Sequence, residues 1–189
     1  LKYVSQDFAQ YDGSGDGNGL QTKTWDNSKL DIVSDITSIP VKDNSFDALM
    51  CIEVLEHIPR PIDAIEEFSR ILKKGGKLII TAPFNSITHF SPYFFNTGLT
   101  KYWYEEHLTT SGFLINEITF NGNYFESLAQ EVRRLYYMSE KYSGIKLEND
   151  REPEALISSM LDLLNLLETK QHGSEEIQCY GLHIVATKI

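Results

Sequence analysis

The segment 46–82 constrains the fold of this chain more than any other stretch of its sequence. It begins with a continuous apolar run, Phe46–Ile52, which is typical of a parallel strand buried on both faces. After Pro61, apolar residues recur at helical spacing, and Gly75-Gly76 is expected to end that helix. The next apolar run, 77–82, predicts a second strand. A strand, a helix and a strand with short connections indicate an α/β fold.

The rest of the chain continues this alternation and then adds a block of helices. The further predicted strands are 2–7, 30–34, 113–120 and 180–187, and the further predicted helices are 102–111, 124–142 and 153–170. We find no internal repeat and no sign of a second domain. We therefore expect residues 1–189 to form a single domain around a doubly wound sheet.

Charge and cysteine content exclude several classes of function. The chain has 17 Lys and Arg against 27 Asp and Glu, which gives a net charge of −10. Such an acidic domain repels a phosphate backbone, so we expect no nucleic-acid partner. Cys51 and Cys179 do not make a disulfide framework, and no set of residues has the spacing of a metal site, so we expect no metal and a cytoplasmic location. No apolar run approaches the roughly 18 residues of a membrane span, so we expect no membrane partner.

Acidic and apolar residues follow the ends of three predicted strands. They are Asp7 and Phe8, Asp35 and Ile36, and Cys51, Ile52 and Glu53. Ligands of an open parallel sheet bind outside the carboxyl ends of its strands. One carboxylate at such a position can accept both hydroxyls of a ribose, and a second can accept the exocyclic amine of adenine. The alternative is that Asp ends these strands because it favours turns.

Three motifs in the stretch 31–84 carry a resemblance to a known family. They are Asp35 with an Ile-Pro pair shortly after it, the run FDALMCIEVLEHI, and the run EFSRILKKGGKLIITAPF. In these motifs the chain resembles the class I S-adenosylmethionine-dependent methyltransferases, in particular the type 11-like enzymes that act on small molecules. The resemblance implies S-adenosylmethionine as cofactor. It also implies a Rossmann-like, mostly parallel sheet whose last strand is antiparallel and follows a helical insertion.

The same resemblance implies a role for each residue at the strand ends. Asp7 would bind the ribose of the cofactor, with Phe8 beside the adenine. Asp35 and Ile36 would meet the adenine, the first through a polar contact and the second by packing. Residues 51–53 would lie near the methionine moiety.

The family's glycine-rich loop does not stand where the resemblance requires it. The glycine-rich run 13–19 follows the predicted ribose-binding acid, and no apolar strand leads into it. A glycine motif without a strand before it and a helix after it is weak, so we interpret this run as a solvated loop. We expect the family's first strand and glycine-rich loop to lie N-terminal to Leu1.

The aromatic-rich connection 83–104 is the expected acceptor site because it follows a strand. His89 is the candidate general base, since imidazole titrates near neutral pH. His89 and Tyr93 are expected to face the acceptor, and Tyr104 to contribute to its binding. A loop histidine whose hydrogen bonds are satisfied by backbone explains His89 equally well. His57 is interpreted as structural.

These observations predict a methyltransferase that acts on a small-molecule or glycan-linked hydroxyl or amine. The alternative is a non-catalytic relative that keeps the fold as a binding or scaffolding subunit. A nicotinamide-dependent dehydrogenase would share the ribose acid but does not explain the block from VLEH to the Gly-Gly pair. The apolar helix 153–170 fits either a core position or the face of a homodimer.

Overall fold

The computed structural model describes residues 2–21, 24, 26–148 and 150–189. Its strands are β1 (Gln6–Asp7), β2 (Ile32–Val33), β3 (Phe46–Ile52), β4 (Leu72–Pro83), β5 (Phe113–Asn121) and β6 (Gly181–Lys188). Its helices are α1 (Pro61–Ile71), α2 (Lys101–Thr110), α3 (Tyr124–Ser143) and α4 (Arg151–Glu168). Each predicted strand and helix is present, although β1 and β2 are shorter than expected. The α/β class is confirmed.

Four of the strands form a mixed sheet in the order β3-β4-β6-β5. β3 runs parallel to β4, with Leu49 opposite Leu78, whereas β6 runs antiparallel to β4, with Ile184 opposite Ile80. The predicted antiparallel last strand is therefore confirmed. β1 and β2 form a separate parallel pair in which Gln6 lies opposite Ile32.

The chain divides into two compact units, one made of residues 1–119 and 181–189 and the other of 120–180. The first unit contains the main core, in which Phe68 of α1 and Ile80 of β4 are almost completely buried. The second unit contains α3 and α4, which pack on each other. Within the described residues, no helix has both the length and the apolarity needed to cross a bilayer. That the whole chain forms a single domain stays a prediction.

Gly75-Gly76 does not end α1, so this expectation was wrong. The helix ends at Ile71, and Leu72 is already extended, with φ −76° and ψ 141°. Leu72 is fully buried and pairs with Phe46 as the first residue of β4. Gly75, with φ +79°, then lies where the register of β4 against β3 shifts. The two glycines therefore lie at an irregularity within β4, because the chain is already extended and paired with β3 at Leu72.

The glycine-rich run 13–19 is exposed over most of its length, but its backbone is not simply solvated. The amide of Asp16 donates to the Ser91 carbonyl at 3.1 Å, and that of Leu20 donates to the Thr88 carbonyl at 3.0 Å. A Cβ atom on Gly19 would lie 2.3 Å from the Thr88 oxygen. The interpretation as a solvated loop was therefore incomplete, because glycine lets this run lie directly against segment 88–91.

Candidate active site

The ends of β1, β2 and β3 open into one cleft of about 510 Å³. All seven residues predicted at the strand ends line it: Asp7, Phe8, Asp35, Ile36, Cys51, Ile52 and Glu53. Parallel strands place their carboxyl ends at the same edge, which explains why residues so distant in sequence meet here. The cleft has the size and the mixed apolar and acidic lining of a small-molecule site.

Asp7 and Asp35 each form a local turn with one carboxylate oxygen. Asp7 Oδ1 accepts from the Ala9 amide at 2.7 Å, and Asp35 Oδ1 accepts from the Thr37 amide and hydroxyl, both at 2.8 Å. The turn-forming role considered from sequence is therefore real. A carboxylate offers about four lone-pair sites, so these turns leave both acids able to accept hydrogen bonds from a ligand.

Glu53 is held at the end of β3 in an unusual backbone conformation. Its φ of +51° is left-handed, and such a conformation persists in a residue with a side chain only where the surroundings enforce it. Its amide donates to the Thr81 carbonyl at 2.9 Å, and its Oε1 accepts from the Thr81 hydroxyl at 2.6 Å. The neighbouring Cys51 is 3% exposed. Burial, followed by the charges of Glu56 and Glu53, raises the pKa of the Cys51 thiol, which therefore stays protonated.

Aromatic rings from the connection after β4 form one wall of the cleft. Phe90, Tyr93 and Phe95 line it, and the Tyr93 ring lies edge-on to Phe8, with 6.0 Å between centroids. The connection is anchored to the turn after β3, because the amides of Phe95 and Asn96 both donate to the Glu56 carbonyl. The cleft therefore combines aromatic rings with the acids of the strand ends.

His89 and Tyr104 do not belong to the described residues that line the cleft. His89 is half-buried, and its Nδ1 lies 3.0 Å from the Ile87 carbonyl oxygen, in line with the backbone-satisfied alternative. Tyr104 lies in the core with 0% exposure, and its hydroxyl has no hydrogen-bond partner among the described residues. Burial and the nearby Cys51 and Glu56 raise its pKa well above the ordinary value. A role for either residue at the acceptor stays a prediction.

His57, which the sequence suggested was structural, does line the cleft. It ends the short 3-10 turn Leu55–His57 after β3, and its Nδ1 is hydrogen-bonded to the Tyr93 carbonyl. Its ring lies 4.8 Å from that of His89, between centroids. The two histidines are therefore neighbours, and His57 connects His89 to the cleft.

Glu56 lies between these histidines. The residue is 1% exposed, and its Oε1 lies 3.6 Å from His57 Nε2 and 3.8 Å from His89 Nε2. Burial lowers the pKa of His57, and the negative charge of Glu56 offsets this lowering only in part. Burial also acts to lower the pKa of His89, but the Glu56 carboxylate and the Ile87 carbonyl outweigh it and raise the pKa. Sequence reasoning did not single out Glu56, because its charge gave no sign of being buried.

A family model described as a methyltransferase domain matches residues 13–80, a segment that contains β2, β3, α1 and most of β4. This segment is therefore similar to a methyltransferase domain. The resemblance seen in its motifs is thereby confirmed. The methyltransferase segment includes Asp35, Ile36 and residues 51–53 of the cleft, whereas Asp7 and the aromatic wall lie outside it.

Two sequence relatives are also named as methyltransferases. Over 64 residues the chain is 36% identical to ubiquinone biosynthesis O-methyltransferase of Xanthomonas oryzae pv. oryzae, which covers 34% of this chain and 26% of the relative. Over 71 residues it is 41% identical to demethylmenaquinone methyltransferase of Renibacterium salmoninarum. That match covers 38% of this chain and 28% of the relative. The chain thus spans about a quarter of the length of these relatives. Among solved structures, phosphoethanolamine N-methyltransferase 2 of Haemonchus contortus is 20% identical with a TM-score of 0.46, covering 82% of this chain and 36% of that one.

Proposed function

We propose that this protein transfers a methyl group from S-adenosylmethionine to a small-molecule acceptor. The observation that carries the proposal is the convergence of three strand ends, with both acids, on one cleft of about 510 Å³. The methyltransferase segment supplies two of those three strand ends. A cleft of this size accommodates a nucleoside and its side chain, which is the shape of this cofactor.

Each strand end has its own part in binding the cofactor. Asp7 accepts the ribose hydroxyls, and Phe8 packs beside the adenine. Asp35 accepts the adenine amine, and Ile36 packs on the ring. The segment 51–53 lies along the methionine moiety, where the neutral thiol of Cys51 and the strained backbone of Glu53 shape the wall.

The acceptor occupies the aromatic side of the cleft. Tyr93 and the other rings of this wall suit stacking on a flat or sugar ring. One similar protein is named as an O-methyltransferase of ubiquinone biosynthesis, which favours a hydroxyl as the acceptor group. A glycan-linked hydroxyl or an amine fits the same wall and belongs in the same screen.

Methyl transfer requires alignment of the nucleophile, the methyl group and the leaving sulfur, and removal of the acceptor's proton. The strand ends supply the alignment. The histidine pair receives the acceptor's proton. His57 lines the cleft, and His89 lies next to the His57 ring, away from the cleft. His89→Ala should therefore lower turnover while cofactor affinity stays unchanged, and the exposed His172→Ala should alter neither.

The test is release of S-adenosylhomocysteine by the full-length protein in the presence of phenolic, sugar and amine acceptors. Turnover that depends on the acceptor, and that falls in Asp7→Ala but not in Asp47→Ala, supports the proposal. Asp47 is a matched control because it is also an Asp of a β-strand, but its side chain is 88% exposed and pairs with Lys73. A protein that binds S-adenosylhomocysteine but turns over none of these acceptors would instead be a binding or scaffolding subunit.

A further inference from the structure

Glu56, His57 and His89 place one potential metal-ligating atom each within 4.8 Å of one another. Both oxygens of Glu56 are buried and have no hydrogen-bond partner among the described residues. A carboxylate in this position is costly unless a positive charge or a donor neutralises it. We propose that these three side chains bind a divalent transition-metal ion, with Zn²⁺ as the best match.

The histidine ring nitrogens can offer lone pairs to a cation at this point. A carbonyl oxygen can only accept, so the contacts of His57 with the Tyr93 carbonyl and of His89 with the Ile87 carbonyl place a hydrogen on each Nδ1. In the neutral rings, each Nε2 then carries a lone pair. Both lone pairs lie near the Glu56 carboxylate, at 3.6 and 3.8 Å from Oε1. Three acceptors face one another, and a metal ion satisfies all three at once.

The outer contacts of the histidines match those of metal-binding histidines in general. Such histidines donate their other N–H to a carbonyl or carboxylate, which fixes the tautomer and orients the ring. Here both rings make that contact with backbone carbonyls. Neither tautomer would therefore have to change when a metal ion binds.

The donor set and its dimensions favour zinc over magnesium. Two imidazoles and one carboxylate suit Zn²⁺ and related ions, whereas Mg²⁺ prefers oxygen ligands throughout. A tetrahedral zinc ion with bonds near 2.0–2.1 Å separates its ligand atoms by about 3.3 Å. The two separations from Glu56, 3.6 and 3.8 Å, need to close by only a few tenths of an ångström. All three ligand atoms lie within 4.8 Å of one another, so the two histidines need to approach each other by at most about 1.5 Å. A fourth position would remain for an exogenous oxygen.

The fold, and not the sequence spacing, builds this cluster. Glu56 and His57 belong to the turn after β3. His89 is positioned by an isolated backbone β-bridge between it and Leu20. Aromatic rings enclose the histidines: Phe90 stacks on His57 at 5.2 Å, and Phe94 lies 4.8 Å from His89. An apolar enclosure strengthens the attraction between the carboxylate and a cation. The expectation of no metal rested on spacing along the chain, which cannot show this convergence.

The position of the cluster suggests what the ion does, and this step rests on the proposed function. His57 belongs both to the cluster and to the wall of the cleft. An ion bound there can take the acceptor oxygen as its fourth ligand. Coordination favours the deprotonated oxygen, which is the better nucleophile for the methyl group.

The experiment measures Zn²⁺ binding to full-length protein without an affinity tag, stripped with chelator and titrated in a calorimeter without cofactor. We expect one equivalent to bind to the wild type. In Glu56→Gln and in His89→Gln the affinity should fall by on the order of a hundredfold or more, because loss of an outer-shell contact alone costs 10–100-fold. His172→Gln, the same substitution at an exposed histidine, should bind like the wild type.

Absence of stoichiometric Zn²⁺ binding by the wild type would overturn the proposal and leave protons as the neutralising charge. Unchanged binding by both cluster variants would overturn it equally. If the variants fail to fold by circular dichroism, the absorption spectrum of Co²⁺ added to the wild type decides. Strong visible absorption, typical of four-coordinate Co²⁺, would support the site. Weak absorption like that of Co²⁺ in water would contradict it. Separate titration with S-adenosylhomocysteine distinguishes a failure of this proposal from a failure of the cofactor site.

Discussion

The Arg70 guanidinium donates to both carboxylate oxygens of Glu67 in the preceding turn of α1, at 2.7 and 2.8 Å. Glu67 Oε1 also accepts from the Ile39 amide at 2.6 Å, while Arg70 donates to the carbonyls of Ile39 and Val41. These bonds attach segment 39–41 to α1. That segment connects the turn at Asp35 with β3, so this pair helps to hold two strand ends of the cleft in place.

Glu67→Gln should lower the free energy of unfolding by about 2–3 kcal/mol, because hydrogen bonds to a charged group are replaced by weaker neutral ones. Arg70 keeps only one carboxylate partner in this variant, Asp43 at 2.7 Å. Glu66→Gln is the matched control, since Glu66 is adjacent in the helix but exposed. Urea unfolding measures both variants. Equal stability of the two would show that the pair contributes little.

The same pair predicts a pH dependence of stability. The hydrogen bond from Arg70 holds the pKa of Glu67 below its ordinary value of 4.5, and the Ile39 amide adds to that effect. A lowered pKa in the folded state stabilises the protein above pH 4.5, and this contribution is lost as the pH falls through the folded-state pKa. The wild type should therefore lose more stability than Glu67→Gln between neutral pH and pH 3–4. Parallel pH profiles would contradict this attribution.

Substitution of two glycines in run 13–19 distinguishes the cost of backbone strain from the cost of a steric clash. Gly17, with φ +82°, has nothing within 4 Å of an added Cβ, whereas Gly19, with φ +67°, would place it 2.3 Å from the Thr88 oxygen. Gly17→Ala should cost about 1–2 kcal/mol, the penalty for a left-handed residue with a side chain. Gly19→Ala should cost clearly more in unfolding experiments. Equal losses of stability in the two variants would mean that segment 88–91 moves away from the new Cβ atom at no cost.

Cys51 should resist alkylation in the folded protein although it lines the cleft. The residue is 3% exposed, and burial raises the pKa of its thiol, so little thiolate is present at pH 8. Cys179 is buried as well. Neither thiol should react with a disulfide reagent until denaturant is added. Rapid labelling of Cys51 under native conditions would contradict this prediction and show that the cleft around this thiol opens to solvent.

The sequence predicted the strand ends of the cleft well because parallel strands and their motifs are local features. The turn chemistry of Asp7 and Asp35 was also visible, since it involves only the next two residues. Burial of Glu56 and Tyr104 could not be predicted, because each depends on segments distant in sequence. The end of α1 was misplaced for the same reason: pairing of Leu72 with Phe46 outweighed the local signal of two glycines.

The most direct test of the cofactor site is calorimetric titration of the full-length protein with S-adenosylhomocysteine. We predict one site per chain and an affinity loss of about 1.5–3 kcal/mol in Asp7→Ala. The loss in Asp35→Ala should be smaller, because its proposed contact is with a single amine. Asp47→Ala should bind like the wild type. Wild-type protein that binds no S-adenosylhomocysteine, or folded variants of both acids that bind it unchanged, would contradict the account.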